Sequence, residues 1–271
     1  MAEQPFSVEK VHENVYMCRE KFYDSWNQAN IWLVQGSSAD LVIDTGLGLW
    51  DLPGFLKQQG LIGDKPVQAV ATHVHFDHSG GLHQFENFSI HSLEADAIRN
   101  GDSYETLPIF TSFDEISVPP HEGWNMKAYK VKSAEAHRKL RVLHFPGHSR
   151  GSIGLIDEHA RILFTGDTVY DSPNLIDWLP TSDITAYVQT CRRLQDLSSQ
   201  VEEVFPGHND HFDGKRLHSL ATDYISRAGA CHKITSAFMK GAATVLLKAK
   251  HTGNIPAKFC YHACCCCCCL V

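Results

Sequence analysis

Four segments of this chain, far apart along it, share one plan: a short aliphatic run, a turn, then a histidine or an aspartate. They are VATHVHFDHSGG ending the run at 67–71, HFPGHS after 140–144, LFTGD after 161–164 and FPGHN after 201–205. Strand ends held in a sheet place donor atoms more accurately than free loops do, so the plan calls for strands that deliver these ends to a common edge. Together the segments offer His73, His75, Asp77, His78, His148, Asp167 and His208. Imidazoles and carboxylates in this mixture suit Zn²⁺ and, less well, Fe or Mn. His73 and His75 are two apart, so an extended loop projects both to one side. Ser79-Gly80-Gly81 then lets backbone approach closely. The reading assigns His73, His75 and His148 to one metal and Asp77, His78 and His208 to a second, with the two oxygens of Asp167 bridging them. Three protein ligands per metal leave open positions, which is the catalytic pattern rather than the structural one.

Around these segments, strands are expected at 29–35, 40–43, 67–71, 88–91, 140–145, 153–156, 161–164 and 201–205, and helices at 52–60, 82–86, 93–99 and 182–197. The strands come in pairs rather than alternating with helices. That predicts an α/β (α+β) chain built as a four-layer αββα sandwich of two mixed sheets flanked by helices, in preference to a doubly wound sheet. Residues 101–122 lack periodicity and read as an insert.

Charge divides the chain unevenly. The net charge is −7, against a protein that wraps nucleic acid. Yet after Asp223 there is no acidic residue, while Arg227, Lys233, Lys240, Lys248, Lys250 and Lys258 follow. Apolar residues from Ile234 to Leu246 recur at helical spacing beside these lysines, so 226–250 is expected to form a basic amphipathic helix. Such a helix either docks on the sandwich or meets an anionic lipid surface, with Cys231 as a lipidation site. The rest, 251–271, is a Cys-rich tail expected to be disordered. Its run Cys264–Cys269 cannot close into unstrained bridges, and reads either as a lipidation tract or as an accident of the gene model. Cys18, Cys191, Cys231 and Cys260 are scattered as in a reduced compartment. With no secretory signal and no membrane-spanning run, the expected location is the cytoplasmic face of the endoplasmic reticulum or plasma membrane, peripherally held and not secreted. Oligomeric state is not legible.

The motif T-H-x-H-x-D-H at 72–78, with His148, Asp167 and His208 following in order, resembles the metallo-β-lactamase superfamily over roughly 29–209. Asp167, where the antibiotic-degrading enzymes use Cys, is similar to the thioesterase and phosphodiesterase branches. Asp44, in LVIDTG, matches the family's first motif and implies a group behind the ligands that holds the 73–78 loop. Domain 1–225 is accordingly expected to be a metallo-β-lactamase domain. Longer stretches (REKFYDSWNQANIWLV, VIDTGLGL, FPGHSRGS, DWLP, DYISRAGACHK) resemble the acyl-coenzyme A thioesterase group, with side activity on β-lactams. Residues 129–141 are shorter than in that group, which predicts the loss of an edge pairing in the sheet carrying His148.

The resemblance and the ligand set together imply a dinuclear zinc hydrolase with two Zn²⁺ per subunit. It would cleave fatty acyl-CoA or other thioesters through a metal-bound hydroxide, with Asp77 and Asp167 as proton acceptors. Phe22, Tyr23, Trp26 and Trp32, with Tyr170, Leu175, Ile176 and Trp178, either form an apolar mouth for an acyl chain or fill the core. Arg150 or Arg19 would meet a phosphate. The twelve other histidines read as surface or hydrogen-bonded residues, His211 alone being a candidate auxiliary ligand. The alternatives are a glyoxalase II-type hydroxyacylglutathione hydrolase and a non-catalytic membrane-associated metal-binding module.

Overall fold

A computed structural model of the chain describes residues 4–22, 28–101 and 140–228. Two sheets carry the fold. The first runs in the order β1 (Phe6–His12), β2 (Val15–Glu20), β3 (Ile31–Gln35), β4 (Asp40–Ile43), β5 (Val67–Val70), β6 (Phe88–Ser89). It is antiparallel from β1 to β4 and parallel from β4 to β6. The second runs in the order β11 (Phe212–Asp213), β10 (Glu203–Pro206), β9 (Ile162–Gly166), β8 (Ile153–Asp157), β7 (Leu140–His144), and only β9 and β10 are parallel. Both sheets are thus mixed.

Side-chain alternation along each strand builds the layers. On β3, Trp32 and Val34 face the second sheet and pack with Phe164, Phe205 and Leu155. Ile31 and Leu33 point the other way, onto Leu52, Phe55 and Leu56 of α1 (Leu52–Gln58). On β9, Ile162 and Phe164 face inward while Leu163 packs on Tyr187, Cys191 and Leu194 of α4 (Ile184–Leu197) and on Leu217 and Leu220 of α5 (Gly214–Arg227). Two sheets buried on both faces between helices give the expected αββα sandwich. The starts of α1, α4 and α5 are capped by side chains: Asp51, Asp183 and Asp213 accept from the N–H groups of Gly54, Ala186 and Arg216.

Several elements differ from expectation. The segment at 82–86 forms only a 3-10 turn, Leu82–Gln84, whereas a single helical turn, α2 (Phe76–Ser79), lies within the ligand loop. The helix expected at 93–99 is α3 (Ala95–Asn100). Strands β1 and β2, the short β11 and helix α5 have no counterpart in the sequence reading, and α5 runs two residues past the expected domain boundary. Among the described residues β7 is the outer strand of its sheet. The insert at 101–122 lies outside the described residues apart from Gly101. So do 129–139, Cys231, the tail, and all of the basic helix beyond residue 228. No helix among the described residues is long and apolar enough to cross a membrane.

Candidate metal centre

The four ligand segments meet at one end of the sandwich. His73 and His75 leave β5, α2 supplies Asp77 and His78, the β7–β8 loop carries His148, Asp167 follows β9, and His208 follows β10. Strands β4, β5, β9 and β10 are mutually parallel within their sheets, so their carboxyl ends open on the same edge.

The donor atoms converge in overlapping groups: His73, His75 and His148; Asp77, His78 and His208; and His73, His78 and Asp167. His75 Nδ1 lies 2.9 Å from His73 Nε2 and 3.0 Å from His148 Nε2, while His78 Nε2 lies 3.2 Å from His208 Nε2. Imidazoles bound to a tetrahedral zinc at about 2.0–2.1 Å stand roughly 3.3 Å apart at their ligating nitrogens, so these spacings are those of ligands around a common ion. Asp167 spans the groups. Its Oδ1 is 3.2 Å from His78 Nε2, and its Oδ2 is 3.3 Å from His208 Nε2 and 3.6 Å from His148 Nε2. Asp77 Oδ2 lies 3.4 Å from His208 Nε2.

The outer nitrogens explain why the inner ones are free to ligate. His148 Nδ1–H donates to the Ile176 carbonyl at 3.0 Å and His208 Nδ1–H to the Gln28 carbonyl at 3.1 Å. His78 Nδ1–H donates to Asp44 Oδ2 at 2.8 Å, and His73 Nδ1 lies 3.1 Å from Thr72 Oγ1. Each bond turns an Nε2 lone pair toward the centre. Asp44 is the hub: it also accepts from the Thr72 N–H at 2.7 Å and the Thr72 hydroxyl at 2.9 Å. It sits in the left-handed region, φ 61°, which aspartate tolerates better than most residues.

Charge in the metal-free site is divided between the two triads. Burial, and then the neighbouring imidazoles, push His73 and His148 down and His75 to about 3. Burial would depress His208 as well, but Asp167 and Asp77 outweigh it and lift that imidazole to about 10; His78 is raised in the same way. The two carboxylates are held low by these imidazoles despite burial. Asp167 Oδ1 is buried and accepts no aligned hydrogen bond. A buried carboxylate oxygen with no aligned hydrogen bond, facing imidazoles whose protons a cation can displace, fits a divalent ion.

Other polar contacts, not singled out from the sequence, fix the ligand loops. Asn30 and Trp32 donate to the Pro206 carbonyl, each at 3.0 Å, and Arg19 donates to the Asn209 carbonyl at 2.7 Å; these brace the His208 loop. Arg19 is further committed to Asn30 and Asp210, so it is not the free phosphate partner expected. On the other side Ser182 Oγ–H donates to the His148 carbonyl at 2.7 Å, and Glu94 holds Ser149 and Gly151. Only Asn30 had a visible signal, a lone amide opening an otherwise aliphatic run.

Trp32, Tyr170 and Leu175 are buried in the core, so they do not form the apolar mouth. They are drawn in because they have hydrophobic partners on both sheets and on α4 and α5. Phe22 remains 54% exposed, tilted against Trp50 at 5.8 Å, and Leu49 is 46% exposed nearby in chain. Trp178 is half-buried and Arg150 exposed; Tyr23 and Trp26 lie outside the described residues. His211 Nδ1 pairs with Glu203 Oε1 at 2.7 Å instead of joining the ligands. Cys18 and Cys191 are buried free thiols.

The profile of the Metallo-beta-lactamase superfamily matches residues 24–208, and the chain belongs to that superfamily. Within it, the chain is similar to the protein named Acyl-coenzyme A thioesterase MBLAC2. It is 43% identical to that of Homo sapiens over 93% of this chain and 98% of the relative, and 45% identical to that of Gallus gallus over 89% and 94%. Among solved structures, the metallo-beta-lactamase family protein TTHA1429 of Thermus thermophilus superposes with a TM-score of 0.60 at 21% identity. That match covers 80% of this chain and 79% of the other, and shows the shared fold.

Proposed function

We propose that this chain hydrolyses fatty acyl-CoA thioesters at a centre of two zinc ions. One observation carries the reading: two triads of ligand atoms are joined by a third group, His73, His78 and Asp167, that takes one histidine from each, in a chain similar over nearly its whole length to relatives named as acyl-CoA thioesterases. His73, His75 and His148 would hold one ion, Asp77, His78 and His208 the other, with Asp167 between them. Bound cations of this kind act as Lewis acids and lower the pKa of a coordinated water to about 7. Asp77 and Asp167, kept ionised by His78 and His208, orient the attacking water and accept its proton. Asp44, Asn30 and Ser182 contribute by holding the ligand loops still, so the site costs little reorganisation on reaching the transition state. Phe22 and Leu49 offer exposed apolar surface for the acyl chain. The basic stretch from Arg227 onward would bring the enzyme to the cytoplasmic face of a membrane, where long-chain thioesters partition, and Cys231 is a candidate acylation site. Side activity on β-lactams would use the same centre.

The test compares hydrolysis of palmitoyl-CoA, lactoylglutathione and a nucleotide diester by zinc-loaded protein. Preference for palmitoyl-CoA by at least tenfold in kcat/KM is expected. Preference for lactoylglutathione would move the chain to the glyoxalase II class, and no turnover of any would leave a non-catalytic metal-binding module. A fully soluble protein without palmitate in fractionated cells would remove the membrane part.

A further inference from the structure

The segment joining β6 to α3 grips the His148 loop at two points. The His91 ring lies flat on that of His144, with centroids 4.4 Å apart and planes 11° from parallel. Three residues on, buried Glu94 accepts from Ser149 Oγ at 2.5 Å and from the Gly151 N–H at 2.7 Å. Between those two residues sits Arg150, whose carbonyl accepts from His144 Nε2–H at 3.0 Å. The Arg150 backbone is therefore fixed from both sides, while its side chain is exposed.

Among the described residues that side chain has no partner. Arg19, Arg99, Arg141, Arg161 and Arg216 each pair with a carboxylate. Among the described residues Arg150 has no such partner, nor have Arg192, Arg193 and Arg227, of which the last two donate to backbone carbonyls. His91 Nδ1 accepts from the Leu93 N–H at 3.2 Å, which leaves Nε2 as the donor of that ring. Arg193 donates to the His144 carbonyl at 2.6 Å and adds a second positive charge beside the pair. A guanidinium on a rigid backbone, with the nearby Glu94 carboxylate already committed to Ser149 and Gly151 and with the His91 N–H and Arg193 close by, suits a phosphate.

We propose that Arg150, with the His91 ring that stacks on His144, forms a phosphate subsite that takes the nucleotide end of coenzyme A, two residues along the chain from His148. The inference rests on the thioesterase reading for its ligand. The long pantetheine arm sets the phosphates of coenzyme A well away from the thioester carbon, so a cation on the rim is the group that meets them.

Two measurements on zinc-loaded full-length protein test this. In the first, kcat/KM for palmitoyl-CoA is divided by that for S-palmitoyl-pantetheine, which lacks the nucleotide. R150Q should lower this ratio about tenfold, through KM, as the loss of one charge-assisted contact implies, and R150K should restore part of it. A ratio unchanged by R150Q overturns the proposal. In the second, calorimetry follows adenosine 3′,5′-bisphosphate, whose affinity should fall about tenfold in R150Q. Equal binding by both proteins, or none by the wild type, overturns it. Bisphosphate binding through Arg150 without turnover of any thioester would uphold the subsite and remove the thioesterase reading instead.

Discussion

Asp44 does more for the centre than any residue that does not touch it. It joins the Thr72 backbone, the Thr72 hydroxyl and the His78 ring, and so fixes both the start and the last histidine of the THVHFDH loop. Asp44→Ala should weaken binding of the ion held by His78 by roughly 10–100-fold, read by competition with a chelator; unchanged affinity would show the ring is oriented by other means. Glu20 offers a different reading at this scale. It is buried at the end of β2, accepts from the Leu47 N–H at 3.0 Å and leaves Oε1 without a donor. Burial is the main reason its carboxyl is lifted to about 7. A carboxyl whose folded value exceeds its unfolded one adds stability below the unfolded value, and loses it as pH rises through about 7. In metal-free protein, Glu20→Gln should therefore gain on the wild type between pH 4.5 and about 8, by up to about 3 kcal/mol in urea denaturation. A difference that stays flat with pH would contradict the burial argument. The seven ligands were legible because their chemistry admits few residue types and their spacing is local. Glu20 and Glu94 were not, since what marks them is a partner elsewhere in the chain and nothing in their own neighbourhood.

At the scale of elements, the turns after the strands carry the precision. Gly147, two residues after buried Phe145, has φ 147°, and a Cβ there would stand 2.4 Å from Cβ of Tyr187 on α4. Gly147→Ala should cost roughly 2–4 kcal/mol and loosen His148, because backbone and a packed aromatic must both move. A thermal midpoint equal to wild type would argue that the loop is more pliant than its contacts suggest. The two triads should also load differently. His73, His75 and His148 are already neutral at pH 7, whereas His78 and His208 keep protons that an incoming cation must displace. Affinity for the first ion should change little above about pH 6, and affinity for the second should rise toward about pH 10 with proton release. Isothermal titration in buffers of different ionisation enthalpy separates the two; equal proton release at both sites would refute the division. Strand positions next to the ligands were read well because aliphatic runs end at turn residues. Strands β1 and β2 and helix α5 escaped because polar and charged residues interrupt their apolar runs, and the distant cores that bury Phe6, Val15, Met17, Cys18, Leu217 and Leu220 decide the rest.

Seen whole, the molecule is two hydrophobic faces pressed together with one polar edge. Trp32, Phe164 and Phe205 lock the sheets, and the carboxyl ends of β5, β9 and β10 then have no choice but to share a rim. That architecture was legible because paired strands with helices between them have few ways to bury both faces. Whether an aromatic lined the mouth or filled the core was not, since composition is the same in either case. In the proposed function, seven side chains grip two ions as one unit that performs hydrolysis. Native mass spectrometry of zinc-loaded protein, paired with turnover of palmitoyl-CoA, tests it most directly. Wild type should carry two zinc ions per chain. Asp167→Ala should lose at least one of them, with a fall in turnover of roughly a thousandfold or more, as removal of a shared ligand implies. A wild type that binds no metal, or an Asp167→Ala protein that keeps both ions and full turnover, would contradict it.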